Sequence, residues 1–181
     1  MRPRFEILDR EPRIESPAGA PPLPAGGGRV EMRGISLAYD ELRSASAAPR
    51  PDGEEAIHAL RGIDLEIEAG LTVALVGPSG GGKTSLIHLL PRFYHANAGR
   101  ITLDGHDLEA LTLESLRRQI SLVSQNVVLF NDTVAANIAY GTMADAPRDA
   151  IEKAATAANA LDFIRAQPDG FETVVGERGI R

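Results

Sequence analysis

Apolar and polar residues alternate along two early stretches of the chain. Val30, Met32, Ile35, Leu37 and Tyr39 predict a strand with one irregularity near Gly34. Ile63, Leu65 and Ile67 alternate with Asp64, Glu66 and Glu68, which predicts a half-buried strand. Val73-Ala74-Leu75-Val76 is apolar without alternation, as expected of a central strand covered on both faces. Leu86, Leu89 and Leu90 share one face of a predicted helix over 84–90, which Pro91 and Phe93 end or bend. Residues 100–104 predict a strand closed by an Asp104-Gly105 turn, 113–119 a helix and 120–123 another strand. A helix is predicted over 147–165, with Ile151, Ala154, Ala158, Leu161 and Ile164 at helical spacing, Asp145 as a candidate cap and Pro147 in its first turn. Pro168-Asp169-Gly170 predicts a turn. Strands and helices mixed around a buried apolar strand imply the α/β class.

Composition adds boundaries to this picture. Six of the 12 prolines fall in the first 28 residues, followed there by Gly26-Gly27-Gly28, so residues 1–28 read as an extended or disordered lead-in. The run Phe5 to Asp9 is its exception and suits the last turn of a helix. A second loose stretch, rich in Ala, Ser and Pro, runs from Arg43 to Glu55. The 181 residues suit one domain with a tail, and 43% hydrophobic residues suffice for a globular core. The longest apolar runs, 73–76 and 127–130, are far short of the ~20 residues of a membrane-spanning helix. The opening residues are too short and too charged for a secretory signal. Absence of cysteine excludes a disulfide framework and fits a reducing compartment. With 19 Lys plus Arg against 25 Asp plus Glu, the net charge of −6 argues against nucleic acid as a partner.

Candidate chemistry concentrates in Gly77-Pro78-Ser79-Gly80-Gly81-Gly82-Lys83-Thr84, which matches G-x-x-x-x-G-K-[ST]. A tight glycine-rich loop lets successive backbone N–H groups point at the β- and γ-phosphates of a nucleotide, because no Cβ blocks the approach. The helix that follows adds its unpaired N–H groups and the positive end of its dipole. Lys83 supplies a mobile cation, the Thr84 hydroxyl is the expected Mg²⁺ ligand, and Ser85 is placed to touch the α-phosphate. Hydrolysis further requires a second carboxylate for the metal and a group that orients water. Ile101-Thr102-Leu103-Asp104 is the best local imitation of an apolar strand ending in an acid, but it also reads as a strand entering a Gly turn.

The residues after the loop carry a resemblance. Arg100-Ile101-Thr102-Leu103-Asp104-Gly105-His106-Asp107-Leu108, Leu116-Arg117-Arg118-Gln119-Ile120, Val123-Ser124-Gln125, Leu129-Phe130-Asn131-Asp132-Thr133-Val134 and Asn137-Ile138-Ala139-Tyr140-Gly141 follow one another in this order. Over residues 29–181 the chain resembles the nucleotide-binding domain of exporter-type ABC transporters, and the Leu-Phe-Asn-Asp-Thr-Val wording is similar to the lipid A flippase branch. The resemblance implies a P-loop NTPase-type fold with part of the core sheet, an antiparallel β region and part of a helical subdomain. It implies ATP and Mg²⁺ as cofactors. It also implies a transmembrane domain and a second nucleotide-binding domain as partners, residues 1–28 as the link to that transmembrane domain, and a place at the cytoplasmic face of the inner membrane. Tyr39 corresponds to the aromatic that stacks on adenine, although Asp40 and a long loop follow it. Gln125 corresponds to the glutamine that reaches Mg²⁺ and the attacking water. Residues 173–179 resemble the segment that touches the membrane domain, where Glu177 and Arg178 are candidates to pair.

The family pattern continues with a signature segment, a magnesium aspartate with a catalytic glutamate, and a switch histidine, none of which occurs in these 181 residues. The expectation is therefore a portion cut at both ends, with weak ATP binding, little turnover by itself, and an exposed edge at 73–76. His58, His88, His95 and His106 fit no compact metal motif. Two other readings compete. One is a small stand-alone P-loop phosphotransferase, which would need an Arg-rich lid where only Arg117 and Arg118 adjoin; the other is a non-enzymatic nucleotide-binding regulatory module.

Overall fold

A computed structural model describes residues 12, 14–39, 58–125 and 128–176. Phe5 to Asp9, the stretch from Arg43 to Glu55, and Glu177 with Arg178 lie outside the described residues. The chain divides into two units, Met1–Ser121 and Leu122–Arg181.

The first unit is built on an antiparallel sheet of order β2-β1-β3-β4. Strand β1 (Val30–Ala38) pairs on one side with β2 (His58–Ile67) and on the other with β3 (Ala98–Leu103), to which the short β4 (His106–Asp107) is added. Alternation along β1 breaks where the sequence predicted it. Gly34 has φ +61°, the register shifts between Met32 and Ile35, and both of those side chains are thereby turned into the core. The Gly34 N–H, displaced from the ladder, donates to Asp64 Oδ1 at 2.7 Å. Helix α1 (Lys83–Leu89) lays Leu86 and Leu89 on the sheet, and α2 (Leu113–Arg118) adds the fully buried Leu116. The predicted Asp104-Gly105 turn joins β3 to β4, with positive φ at both residues.

The lead-in is not loose where it is described. Leu23 is buried in the core, its N–H donates to Ser115 Oγ at 2.8 Å, and Gln119 Nε2 donates to the carbonyls of Leu23 and Pro24. Leu113 N donates to Ser16 Oγ, Thr112 N to the Pro21 carbonyl, and the buried Arg92 to the Glu15 carbonyl. Proline removes donors but not acceptors, so an irregular segment is held mainly through its carbonyls.

Two expected core strands are not formed. Residues 73–76 and 120–123 carry no ladder among the described residues, and Val76 and Val123 are 89% and 92% exposed. The unalternated apolar sequence of 73–76 asks for cover on both faces, but a strand exists only where a neighbour accepts its hydrogen bonds.

In the second unit β5 (Asp132–Thr133) pairs with β6 (Val174–Val175). Helix α3 (Val134–Ile138) follows, capped by Thr133 Oγ accepting from Ala136 N at 3.0 Å. The helix predicted over 147–165 is two: α4 (Arg148–Ala157) and α5 (Leu161–Arg165). Asn159, at φ +54°, occupies the left-handed conformation that ends a helix. The break also changes the buried face, which uses Ile151, Ala155 and Ile164 around Phe171, while Ala154 and Ala158 are exposed. Asp145 does not cap α4; Pro147 holds that position without a side-chain bond. No helix among the described residues is long and apolar enough to cross a membrane.

Candidate phosphate-binding site

The glycine-rich loop runs from residue 77 into α1, and its glycines are there for separate reasons. Gly77, Gly80 and Gly82 have φ of +152°, +77° and +80°, backbone that side chains rarely adopt. Gly82 is the residue before the first turn of α1, and its carbonyl accepts from Leu86 N at 2.9 Å. The Gly81 N–H donates to the Pro78 carbonyl at 3.1 Å and closes the turn, so close that a Cβ on Gly81 would sit 3.0 Å from that oxygen. Ser79 and Gly80 at the loop tip are exposed.

Lys83 folds back over this loop. Its ammonium donates to the carbonyl oxygens of Gly77 at 2.9 Å and Pro78 at 2.7 Å. A cation is thereby kept at the loop on two exchangeable partners. The first turn of α1 carries no acidic side chain, so its positive end is uncompensated. Thr84 is exposed. Ser85 is buried beneath it, and its hydroxyl accepts from the Tyr39 hydroxyl at 2.7 Å. Tyr39, at the end of β1, is 37% exposed, and Tyr94 meets its ring nearly perpendicular, with centroids 5.2 Å apart. Tyr39, Gly77, Ser79, Gly80, Gly81, Gly82, Lys83, Thr84 and Ser85 therefore all belong to the first unit. Gln125 belongs to the second, exposed at a bend.

Asp104 is otherwise engaged. Its carboxylate accepts from the N–H groups of Gly28 and Arg29 at 2.9–3.0 Å, which holds its pKa below the ordinary aspartate value. It closes the lead-in onto the sheet, in keeping with the Gly-turn reading of the sequence. Arg117 donates to the carbonyls of Pro91 and Arg92, and Arg118 pairs with Glu114 one helical turn away, so neither forms part of an arginine-rich lid.

Two arrangements escaped sequence reasoning. Tyr94 follows Phe93 in what reads as a helix terminus, and no spacing rule ties it to Tyr39. In the second unit Phe130 and Tyr140 stack at 4.3 Å, both exposed. Asn137 holds that pair: its side chain accepts from Phe130 N and donates to the carbonyls of Phe130 and Thr133. The polar Asn137 between apolar neighbours was the available signal.

Comparison with known proteins agrees with this geometry. The family model described as ABC transporter matches residues 60–175. The chain is 52% identical over 176 residues to the ATP-dependent lipid A-core flippase of Methylococcus capsulatus and 53% identical over 177 residues to that of Chromobacterium violaceum. These matches cover 97% and 98% of the chain but 27% and 28% of those proteins, so the chain spans little more than a quarter of the relatives' length. Among solved structures it superimposes on a bacterial Atm1-family ABC exporter with ATP bound, with TM-score 0.81 and 38% identity, over 97% of this chain and 28% of that one. A phosphate loop with its lysine in place, an antiparallel sheet beside it and a family match across most of the chain together make this a member of the ABC transporter family, corresponding to a nucleotide-binding portion of an exporter.

Proposed function

We propose that the chain binds the phosphates of ATP through residues 77–85 and serves, within an exporter, to couple ATP binding and hydrolysis to transmembrane transport of a lipid or lipophilic substrate. The observation that carries this reading is Lys83: its ammonium rests on two loop carbonyls, from which it exchanges onto β- and γ-phosphate oxygens without rebuilding the loop. The exposed Thr84 hydroxyl beside it fits a Mg²⁺ ligand, and Mg²⁺ when bound neutralises phosphate charge. Tyr39 offers its ring to adenine, Ser85 its hydroxyl to the α-phosphate, and Gln125 its side-chain carbonyl to the metal and the attacking water.

The flippase names of the relatives support a lipid-type substrate. The proposed partners are a transmembrane domain and a second nucleotide-binding domain, at the cytoplasmic face of the inner membrane, and the much greater length of those relatives supports further domains beside this one. Residues 1–28, whose described part is pinned to the first unit, suit a link to that transmembrane domain. The stacked and exposed Phe130 and Tyr140 suit a contact with it.

The test is calorimetric titration of the full chain and its Lys83→Ala variant with ATP and Mg²⁺, together with a phosphate-release assay. Binding by the parent that falls at least tenfold in the variant supports the reading. Equal affinity in both removes Lys83 from its role. Steady phosphate release by the chain alone would overturn the expectation of little turnover by these 181 residues.

A further inference from the structure

We infer that Tyr94 is a positioning residue for nucleobase recognition: it holds the Tyr39 ring in its base-receiving attitude and ties it to the helix that carries the phosphate loop. The inference rests on the proposed role of residues 77–85 and Tyr39 in ATP binding and adds a residue to it.

Tyr39 is fixed at two points. Its hydroxyl donates to Ser85 Oγ at 2.7 Å, and its ring meets Tyr94 at 5.2 Å and 87°, the edge-to-face geometry that aromatic rings favour. Tyr94 is itself backed by His88, whose ring lies 6.2 Å away and 32° from parallel and also meets the Phe93 ring at 5.6 Å. Ser85 and His88 stand three residues apart on α1, the same helix that opens at Lys83. Both restraints on Tyr39 therefore lead back to α1, and the surface offered to a base is registered against the cradle offered to phosphates. A ring held in this way loses little rotamer freedom when a base stacks on it, whereas a free one must be ordered by the ligand. The Tyr94 hydroxyl has no hydrogen-bond partner among the described residues, so the ring alone carries the effect.

The experiment is calorimetry of the full chain, its Tyr94→Leu variant and its Tyr94→Phe variant against two probes, ATP and inorganic tripolyphosphate, each with Mg²⁺. The expected result is that Tyr94→Leu weakens ATP about 3- to 10-fold, leaves tripolyphosphate unchanged, and is rescued by Tyr94→Phe. An unchanged ratio of the two affinities in Tyr94→Leu overturns the inference, whether both constants hold or both fall together. A second measurement needs no variant: in the parent, Tyr94 ring resonances shift with ATP and not with tripolyphosphate, and identical shifts overturn the inference. Failure of the underlying reading looks different, since the parent would then bind neither probe, or Lys83→Ala would bind both as tightly as the parent.

Discussion

Gly82 lies against the carbonyl oxygen of Ala59 on β2, so close that a Cβ on Gly82 would come within 2.5 Å of that oxygen and 2.8 Å of Leu60 Cδ2. The start of the phosphate helix is thus set by direct approach of its backbone to the antiparallel sheet. Gly80 has nearly the same φ but nothing within 4 Å of the same construction. The two positions separate crowding from backbone preference.

Gly80→Ala is expected to cost about 1 kcal/mol of stability, the penalty of a left-handed conformation alone. Gly82→Ala adds a clash with backbone and is expected to cost roughly 2–4 kcal/mol, and to weaken ATP binding more than tenfold because the α1 N-terminus must move. Urea midpoints and calorimetry check the order. Equal losses at both positions would mean that the Ala59 contact relaxes freely.

Acid should release the lead-in. The Asp104 carboxylate is held below its ordinary pKa chiefly by the Arg29 N–H, then by that of Gly28. A depressed folded pKa gives stabilisation that is complete above the unfolded value of about 3.9 and is lost as pH falls through the folded value. The amide resonances of Gly28 and Arg29 should therefore titrate together, with a midpoint below that of an ordinary aspartate. Asp104→Asn should abolish that titration. A midpoint at or above 3.9 would contradict the assignment.

Local pattern was legible where it depends on residues close in sequence. The β1 irregularity at Gly34, the helix at 84–90 and the Asp104-Gly105 turn were readable because each depends on nearby residues and on one sheet. The phosphate loop was readable for the same reason, since its chemistry is local backbone. Segments 73–76 and 120–123 read as strands because burial hunger is written in their side chains, while the neighbour that makes a strand is not. The break at Asn159 was hidden because Ala-rich sequence keeps helical spacing through a left-handed residue. The link from Tyr94 to Tyr39 was hidden because it joins residues 55 apart by ring geometry alone.

The same unpaired segments make a solution prediction. Val73 and Leu75 line, with Met32, Leu65 and Ile87, an open apolar cleft of about 420 Å³, and Val76 is exposed beside it. Backbone groups of residues 72–76 have no partner among the described residues. The chain should bind a hydrophobic dye and self-associate with rising concentration. Val76→Lys with Val123→Lys should lower both effects while shifting stability by less than about 0.5 kcal/mol per site, because neither side chain is buried. Dye binding and sedimentation that ignore the substitutions would assign the association to another surface.

Arg92 offers the sharpest stability test. Its guanidinium is buried and donates to the carbonyls of Leu111 and Glu15 at 3.2 and 3.3 Å, and pairs with Glu109 at 2.8 Å. Three separate segments thus meet on one side chain: the lead-in, the turn after α1 and the approach to α2. Arg92→Leu leaves the buried Leu111 carbonyl without the guanidinium and removes one tie on the lead-in, at Glu15, and is expected to cost about 2–3 kcal/mol. Glu109 is half exposed and solvent screens its charge, so Glu109→Gln is expected to cost about 1 kcal/mol or less. The double variant should then cost less than the two single variants added together, since the Arg92 pair is already gone and only the exposed His95 contact of Glu109, at 2.9 Å, is left to weaken. Urea denaturation of the four proteins measures this, and an Arg92→Leu variant within 0.5 kcal/mol of the parent would show that the lead-in is held by Leu23 and Gln119 instead.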